Sequence, residues 1–276
     1  KPYFTLLIGE SKDMQDSNAF LWNYFAGLSD IEEIDEDFHF GVHSLETLQY
    51  ADAFKHFNKC SEYATRPADR AALLILSGNA RGIIDFLDIL ADIAISRGDN
   101  TKAYEHYSRA LELEQDMQDV IGMSYHLSCL GHLFHIEGEL DKAEEKYSES
   151  LSLNEDADDA WGEANCLDRL AAIYLEQYEN EQAATCGDRA IEIFRELGDT
   201  RGEAGALLIR GVVHSREDDR EKATEILEKA LTLFSNMGDK AGQANCFYEM
   251  AFVYFDGGDL EQADLFFNKA LKGYKE

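Results

Sequence analysis

Residues 119–158 read DVIGMSYHLSCLGHLFHIEGELDKAEEKYSESLSLNEDAD, and stepping forty residues from their landmarks meets the same kinds of residue again. From Gly122 the step reaches Gly82, Gly162, Gly202 and Gly242. From Asp119 it reaches Asp159, Asp199 and Asp239, with Asn79 upstream. Small residues recur as Ala91, Gly131, Ala171, Gly211 and Ala251, while Ala103, Ala143, Ala183, Ala223 and Ala263 recur without exception. Tyr107, Tyr147, Leu227 and Phe267 make a further series, broken at Gly187, and Leu111, Leu151, Ile191, Leu231 and Leu271 another. A fixed period of this length marks a repeat architecture, in which each unit buries its apolar face against the next.

Within one period the apolar positions fall at helical spacing in two stripes, Leu130, Gly131 and Phe134 in the first and Ala143, Tyr147, Ser150 and Leu151 in the second. Each period is therefore two amphipathic helices. Between them stand Gly98-Asp99, Gly138-Glu139 and Gly258-Asp259, where glycine suits the left-handed C-terminal position and the acid the positive end of the next helix. The Asp119, Asp159, Asp199 and Asp239 series suits the N-cap of each first helix. Small residues at the ladder positions let paired helices approach closely, and a large side chain fills the gap between them.

These units resemble tetratricopeptide repeats, whose pattern is Leu-Gly/Ala-x-x-Tyr in the first helix and Ala-x-x-x-Phe/Tyr-x-x-Ala in the second. Leu130-Gly131-Phe134 with Ala143-Tyr147, and Leu170-Ala171-Tyr174 with Ala183-Ala190, carry the resemblance. The forty-residue period and the Gly198 to Ala204 turn are similar to the longer-helix variety found in Pins-type polarity adaptors and Rap-like peptide-sensing regulators. The resemblance covers 82–276 as five units and implies an all-α, right-handed α-solenoid. Three departures stand out: the proline that often ends a unit is absent, Arg210 and His214 replace Leu and Tyr in the fourth unit, and Gly187 removes an aromatic from the third.

Residues 1–81 break the register. Ala53, Phe57 and Cys60 mimic a second helix, yet precede Ala103 by fifty residues rather than forty. Phe20, Leu21, Tyr24, Phe25 and Leu28 mark a helix face after an Asp16-Ser17 cap signal, and Pro67 opens a short helix closing at Gly78. This region reads as an irregular helical N-terminal cap with an acidic loop at 30–37, a solvated tether rather than a docking patch.

Composition narrows the function classes. With 55 Asp and Glu against 25 Lys and Arg the formal charge is −30, which repels a phosphate backbone and an anionic membrane, so neither nucleic acid nor membrane is expected as a partner. The chain begins at Lys1, as a trimmed fragment would, and no apolar run is long enough for a span or placed as in a signal peptide. The odd set Cys60, Cys129, Cys166, Cys186 and Cys246, without a CxxC pair, reads as free thiols in a reducing, cytoplasmic setting.

No phosphate loop, His-Glu-x-x-His, Gly-x-Ser-x-Gly or paired-cysteine motif occurs. Asp85, Asp88 and Asp92 share one helical face but lack a second helix with the same pattern for a metal. His132 and His135, with His126 nearby, are weak as metal ligands, and nothing in the pattern separates Asp168 from Glu176 as acid and base. No cofactor, no metal and no enzyme activity are expected.

The resemblance places the ligand site on the concave wall built by the first helices. Carried over, it comprises Asp85, Asp88 and Asp92 from the first unit, then Tyr125, Ser128, His132 and His135. The third unit adds Asn165, Asp168 and Glu176, and the fourth Leu208, Val212, Ser215 and Arg216. Asn245, Tyr248, Phe252, Phe255 and Asp256 complete it. Clamps for a peptide carboxylate present Lys and Arg there; this wall offers only Arg216 and Arg169. It suits a basic, amphipathic segment of a partner protein with an apolar anchor toward Phe252. The expected function is a non-enzymatic protein-interaction scaffold. The alternatives are a regulatory sensor for a signalling peptide and a metal-binding or enzymatic repeat protein. Tyr248, Phe252 and Phe255 equally suit an edge contact with further repeats or a second copy, a homo-oligomer through the C-terminal edge.

Overall fold

The computed structural model describes residues 80–275. The expected N-terminal cap and acidic loop lie outside the described residues. Among these, ten α-helices and no strand occur: α1 (Ala80–Ser96), α2 (Asn100–Met117), α3 (Val120–Ile136), α4 (Leu140–Asp156), α5 (Ala160–Glu176), α6 (Asn180–Leu197), α7 (Thr200–Arg216), α8 (Arg220–Met237), α9 (Lys240–Asp256) and α10 (Leu260–Gly273). This is an all-α solenoid of helix pairs. The chain divides into two compact units between Leu113 and Glu114, within α2. In the first, Ile84, Leu87, Ala91, Ala103, Tyr107 and Ala110 are buried, and the Tyr107 hydroxyl donates to Asp92 Oδ1 at 3.2 Å.

In the second unit α3 to α10 form successive pairs, each second helix packing on the first helix of the next pair and the first helices also touching one another. The aspartate ladder caps as its position demands. Asp119, Asp159, Asp199 and Asp239 accept from the backbone N–H of Gly122, Gly162, Gly202 and Gly242 at 2.9 to 3.1 Å. Each cap of this kind stabilises its helix by about 1 kcal/mol.

The glycine ladder has a different cause. A methyl group on Gly122, Gly162, Gly202 or Gly242 would collide with the side chain eight residues earlier, respectively Glu114, Asn154, Phe194 and Phe234. Each of those four side chains ends a second helix and lies buried across the start of the next first helix. The alanine and glycine ladders work the same way inside a pair: Gly131 faces the Tyr147 ring and Gly211 faces Leu227.

What fills these junctions changes along the unit. Glu114 and His126, each 1% exposed, form a buried pair with Oε2 and Nδ1 2.6 Å apart. The next junction holds a polar knot in which Ser150 Oγ donates to the Ser124 carbonyl at 2.8 Å and Asn154 Nδ2 to Cys166 Sγ at 3.4 Å. The following two are apolar, with Phe194 and Phe234 among Ala164, Leu167, Ala204, Ala206, Leu207 and Cys246.

Turn chemistry departs from the glycine expectation at several loops. Gly98, Gly138 and Gly258 take positive φ between the helices of a pair, as do Gly198 and Gly238 between pairs. Tyr178, Asp218, Gln118 and Asp158 occupy the equivalent left-handed positions with φ of 54 to 63°, a conformation costing a Cβ-bearing residue about 1 kcal/mol.

Candidate functional site

The face expected to carry ligands belongs to the first helix of each pair. In the first unit it carries Asp85 and Asp92, both exposed, and Asp88, half-buried; Asp92 is tied to Tyr107. Among the described residues no three His, Cys, Asp or Glu side chains are grouped so as to hold a metal.

In the second unit the face runs over α3, α5, α7 and α9. Tyr125 is exposed and meets the edge of His126, which itself points inward to Glu114 and away from His132 and His135. Ser128 joins the polar knot, with its Oγ 3.0 Å from Ser150 Oγ. The structure brings together two residues that sequence reasoning placed in different units: His135 Nε2 lies 2.7 Å from Glu176 Oε1, bridging α3 and α5. Burial lowers the pKa of His132, reinforced by the neighbouring Arg169 and His135 charges.

Arg216, expected to face a ligand, is tied to its own chain. Its Nη1 donates to the Leu175 carbonyl in the last turn of α5, where the helix dipole favours a cation, and its guanidinium lies 5.1 Å over the Tyr178 ring. It also opposes the rise that burial imposes on the Glu249 carboxyl. Tyr178 and Glu249 were missed from sequence; their only signal is that Glu249 continues the forty-residue series of Cys129, Arg169 and Ile209 on the same helices.

Asp168 is the group that sets this face apart. It sits at the middle of α5, with Asn165 one turn before it bonded to the Trp161 carbonyl at 2.8 Å. Asp168 Oδ1 is sealed from solvent and has no hydrogen-bond partner among the described residues. Burial pushes its carboxyl up to about 6, with Arg169 opposing. On the facing α7 stands Gly205, where an added methyl group would come to 4.0 Å from Oδ1, an ordinary contact distance. Sequence spacing alone left Asp168 level with Glu176; packing is what raises it.

Toward the C-terminus the face turns apolar. Leu208 and Val212 are half-buried against neighbouring core clusters. Asn245 Oδ1 accepts from the Tyr274 hydroxyl at 2.6 Å. Tyr248, Phe252 and Phe267 form an edge-to-face cluster with centroids 4.9 to 6.0 Å apart, and Phe255 beside it is 54% exposed, enough to leave an apolar contact surface. No helix among the described residues is long and apolar enough to cross a membrane.

A family model described as soluble NSF attachment protein, SNAP, matches residues 126–275, more than half of the chain. No curated protein matches it. Among solved structures the chain is similar to BtubC (BKLC) from P. vanneervenii, 24% identical over 81% of this chain and 91% of that one, with a TM-score of 0.63. It is similar as well to the apo form of RapI, 14% identical over 95% and 91% with a TM-score of 0.58. Aspartyl phosphate phosphatase F from Bacillus subtilis is 15% identical over 100% and 80%, with a TM-score of 0.59. At these identities the likeness is one of fold.

Proposed function

The chain belongs to the soluble NSF attachment protein family, and from that premise we propose that it is a non-enzymatic attachment scaffold whose first-helix face holds a segment of a partner protein. The family's name describes attachment. The observation that carries the reading is Asp168, a largely buried carboxyl group on that face whose Oδ1 has no hydrogen-bond partner among the described residues. A buried carboxylate of this kind gains most from a Lys or Arg of the bound segment. The aromatic cluster of Tyr248, Phe252 and Phe267 supplies the apolar anchor, so the segment that fits is basic and amphipathic. The charge of −30 draws such a segment in over a distance, and the aromatic contacts set how long it stays. Phe255 and the exposed Leu265 and Leu271 of the C-terminal edge remain for contact with a second copy.

The test is fluorescence anisotropy with a labelled amphipathic helical peptide bearing Lys and Leu, beside its Glu-for-Lys counterpart. Wild type should bind the first and reject the second, and Asp168→Asn should weaken binding at least about tenfold, as expected for loss of a charged hydrogen bond. Equal binding of both peptides, or no effect of Asp168→Asn, would remove the basis for the reading.

A further inference from the structure

The joint that the solenoid builds between pairs is left half made on α10. On α4, α6 and α8 the residue that lies across the start of the next first helix is Asn154, Phe194 or Phe234, respectively 2%, 2% and 6% exposed. Tyr274 holds that place after α10 and is 54% exposed, its hydroxyl reaching back to Asn245. One turn earlier, Leu151, Ile191 and Leu231 pack into the core between pairs, whereas Leu271 is 53% exposed. Steps of three and four residues from Leu271 reach Leu260, Asp264, Phe267 and Lys275, which therefore share its side of the helix. Phe267 is half-buried against Tyr248 and Phe252, and the other three are exposed.

The charges on this helix indicate what covers that side. Over 260–275 three lysines stand against two acids, in a chain with 55 acidic residues against 25 basic, so two copies of the chain can approach here without an excess of like charge. The signs are also sorted along the helix. Glu261 and Asp264 stand near its start and Lys269, Lys272 and Lys275 toward its end, whereas α4, α6 and α8 mix acids and bases along their length. Lys269 is committed elsewhere, its Nζ lying 4.4 Å over the Phe266 ring. Lys275 shares the side of Asp264. A helix acidic at its start and basic at its end complements a copy of itself only when that copy is turned end for end, the arrangement that also opposes their dipoles favourably.

We propose that the exposed side of α10 is the interface of a homodimer, in which the α10 helices of two copies pack antiparallel about a two-fold axis. Asp264 of each copy pairs with the partner's Lys275, and Leu271 meets the partner's Leu271 between the two pairs. The midpoint from Asp264 to Lys275 falls between Lys269 and Ala270, and at about 1.5 Å per residue Leu271 lies about 2 Å along the axis from it, close enough for the two leucines to touch. Such a contact is isologous and closes at two copies. One side of one helix buries less than the roughly 1,600 Å² of a standard interface, so the dissociation constant falls in the micromolar range. Asp168 takes no part in this contact, and self-association is measured with no partner segment present, so the dimer and the scaffold reading stand or fall separately.

Sedimentation equilibrium of the full chain, from about 1 to about 100 µM in about 0.15 M salt, tests the dimer. Wild type should pass from monomer to dimer and stop there. Leu271→Glu places two like charges at the centre of the contact and should weaken it at least about tenfold. Asp264→Lys sets lysine against the partner's Lys275, and Lys275→Asp sets aspartate against the partner's Asp264; each enters twice and should weaken the dimer about fivefold. The two reversals together rebuild both pairs with their signs exchanged and should restore association. All three positions are exposed, so every variant should keep the helical circular dichroism of wild type. A chain that stays monomeric to about 100 µM leaves this side to some other helix and overturns the dimer, as does assembly that grows beyond two copies. So does a folded Leu271→Glu that associates as wild type does, or a double reversal that associates no better than the single ones.

Discussion

Replacing Asp168 with asparagine should change how stability depends on pH, by an amount that follows from its burial. Burial raises this carboxyl from the ordinary 3.8 to about 6 in the folded chain. The folded state therefore holds its proton more tightly than the unfolded one. The associated stability is fully present below 3.8 and is lost as the pH rises through about 6, above which the loss is constant. A displacement of roughly two pH units at about 1.4 kcal/mol each amounts to about 3 kcal/mol. Asparagine does not ionise, so its own packing effect is the same at every pH. Urea unfolding of wild type and Asp168→Asn across the range from about pH 3 to about pH 8 separates the two contributions. The difference in unfolding free energy should move in favour of the variant by about 3 kcal/mol over that range, nearly all of it before about pH 6.5. A difference that stays flat would mean that Asp168 is hydrated and ionises normally, and the argument from its isolation would fail with it.

The same substitution at two glycines should act in opposite directions. Gly242→Ala drives a methyl group into the buried Phe234 ring and should cost about 2 kcal/mol net, whereas Gly187→Ala meets nothing and should gain about 0.5–1 kcal/mol from helix propensity; paired thermal melts decide both. Tyr147→Phe should leave stability unchanged or raise it by about 1 kcal/mol in urea titration, because the Tyr147 hydroxyl is buried without a partner among the described residues; a loss of more than about 1 kcal/mol would show that it has one.

Repetition made much of this fold legible. Five recurrences of one alanine and four of a capping aspartate fix helix starts and facing surfaces without reference to any single residue's propensity, and the caps at Gly122, Gly162, Gly202 and Gly242 form where the ladder puts them. Reasons were harder to read than positions. The glycine ladder looked like a demand for close helix approach, and its cause is the side chain eight residues upstream, a relation visible only once the preceding helix is in place. The expected site could be drawn from the sequence as a face and not as a chemistry. Asp168 and Glu176 look alike in sequence, but one has its Oδ1 sealed from solvent and the other pairs with His135. Arg216 reads as a ligand-facing cation, and one of its N–H groups donates to the Leu175 carbonyl. Arg210, His214 and Gly187 were visible as flaws in the pattern; that Arg210 and His214 line one cavity with side chains of α6 and α8 is a fact of packing between helices, which no single period contains.

The pairing of each ladder glycine with the side chain before it means that every joint of the solenoid is specified by its own two residues. Glu114 with Gly122, Asn154 with Gly162, Phe194 with Gly202 and Phe234 with Gly242 are four separate fittings built to one plan. A change at one joint leaves the others their full complement of contacts, so damage stays local and one joint can be rewritten while its neighbours remain as they were. The fittings also differ in material. The first two hold by hydrogen bonds between polar groups, which demand particular partners, and the last two by aromatic bulk, which demands only volume. Sequence drift is therefore tolerated unevenly along the chain: the Phe194 and Phe234 joints accept any apolar residue of similar size, and the Glu114 and Asn154 joints change only if both sides change together.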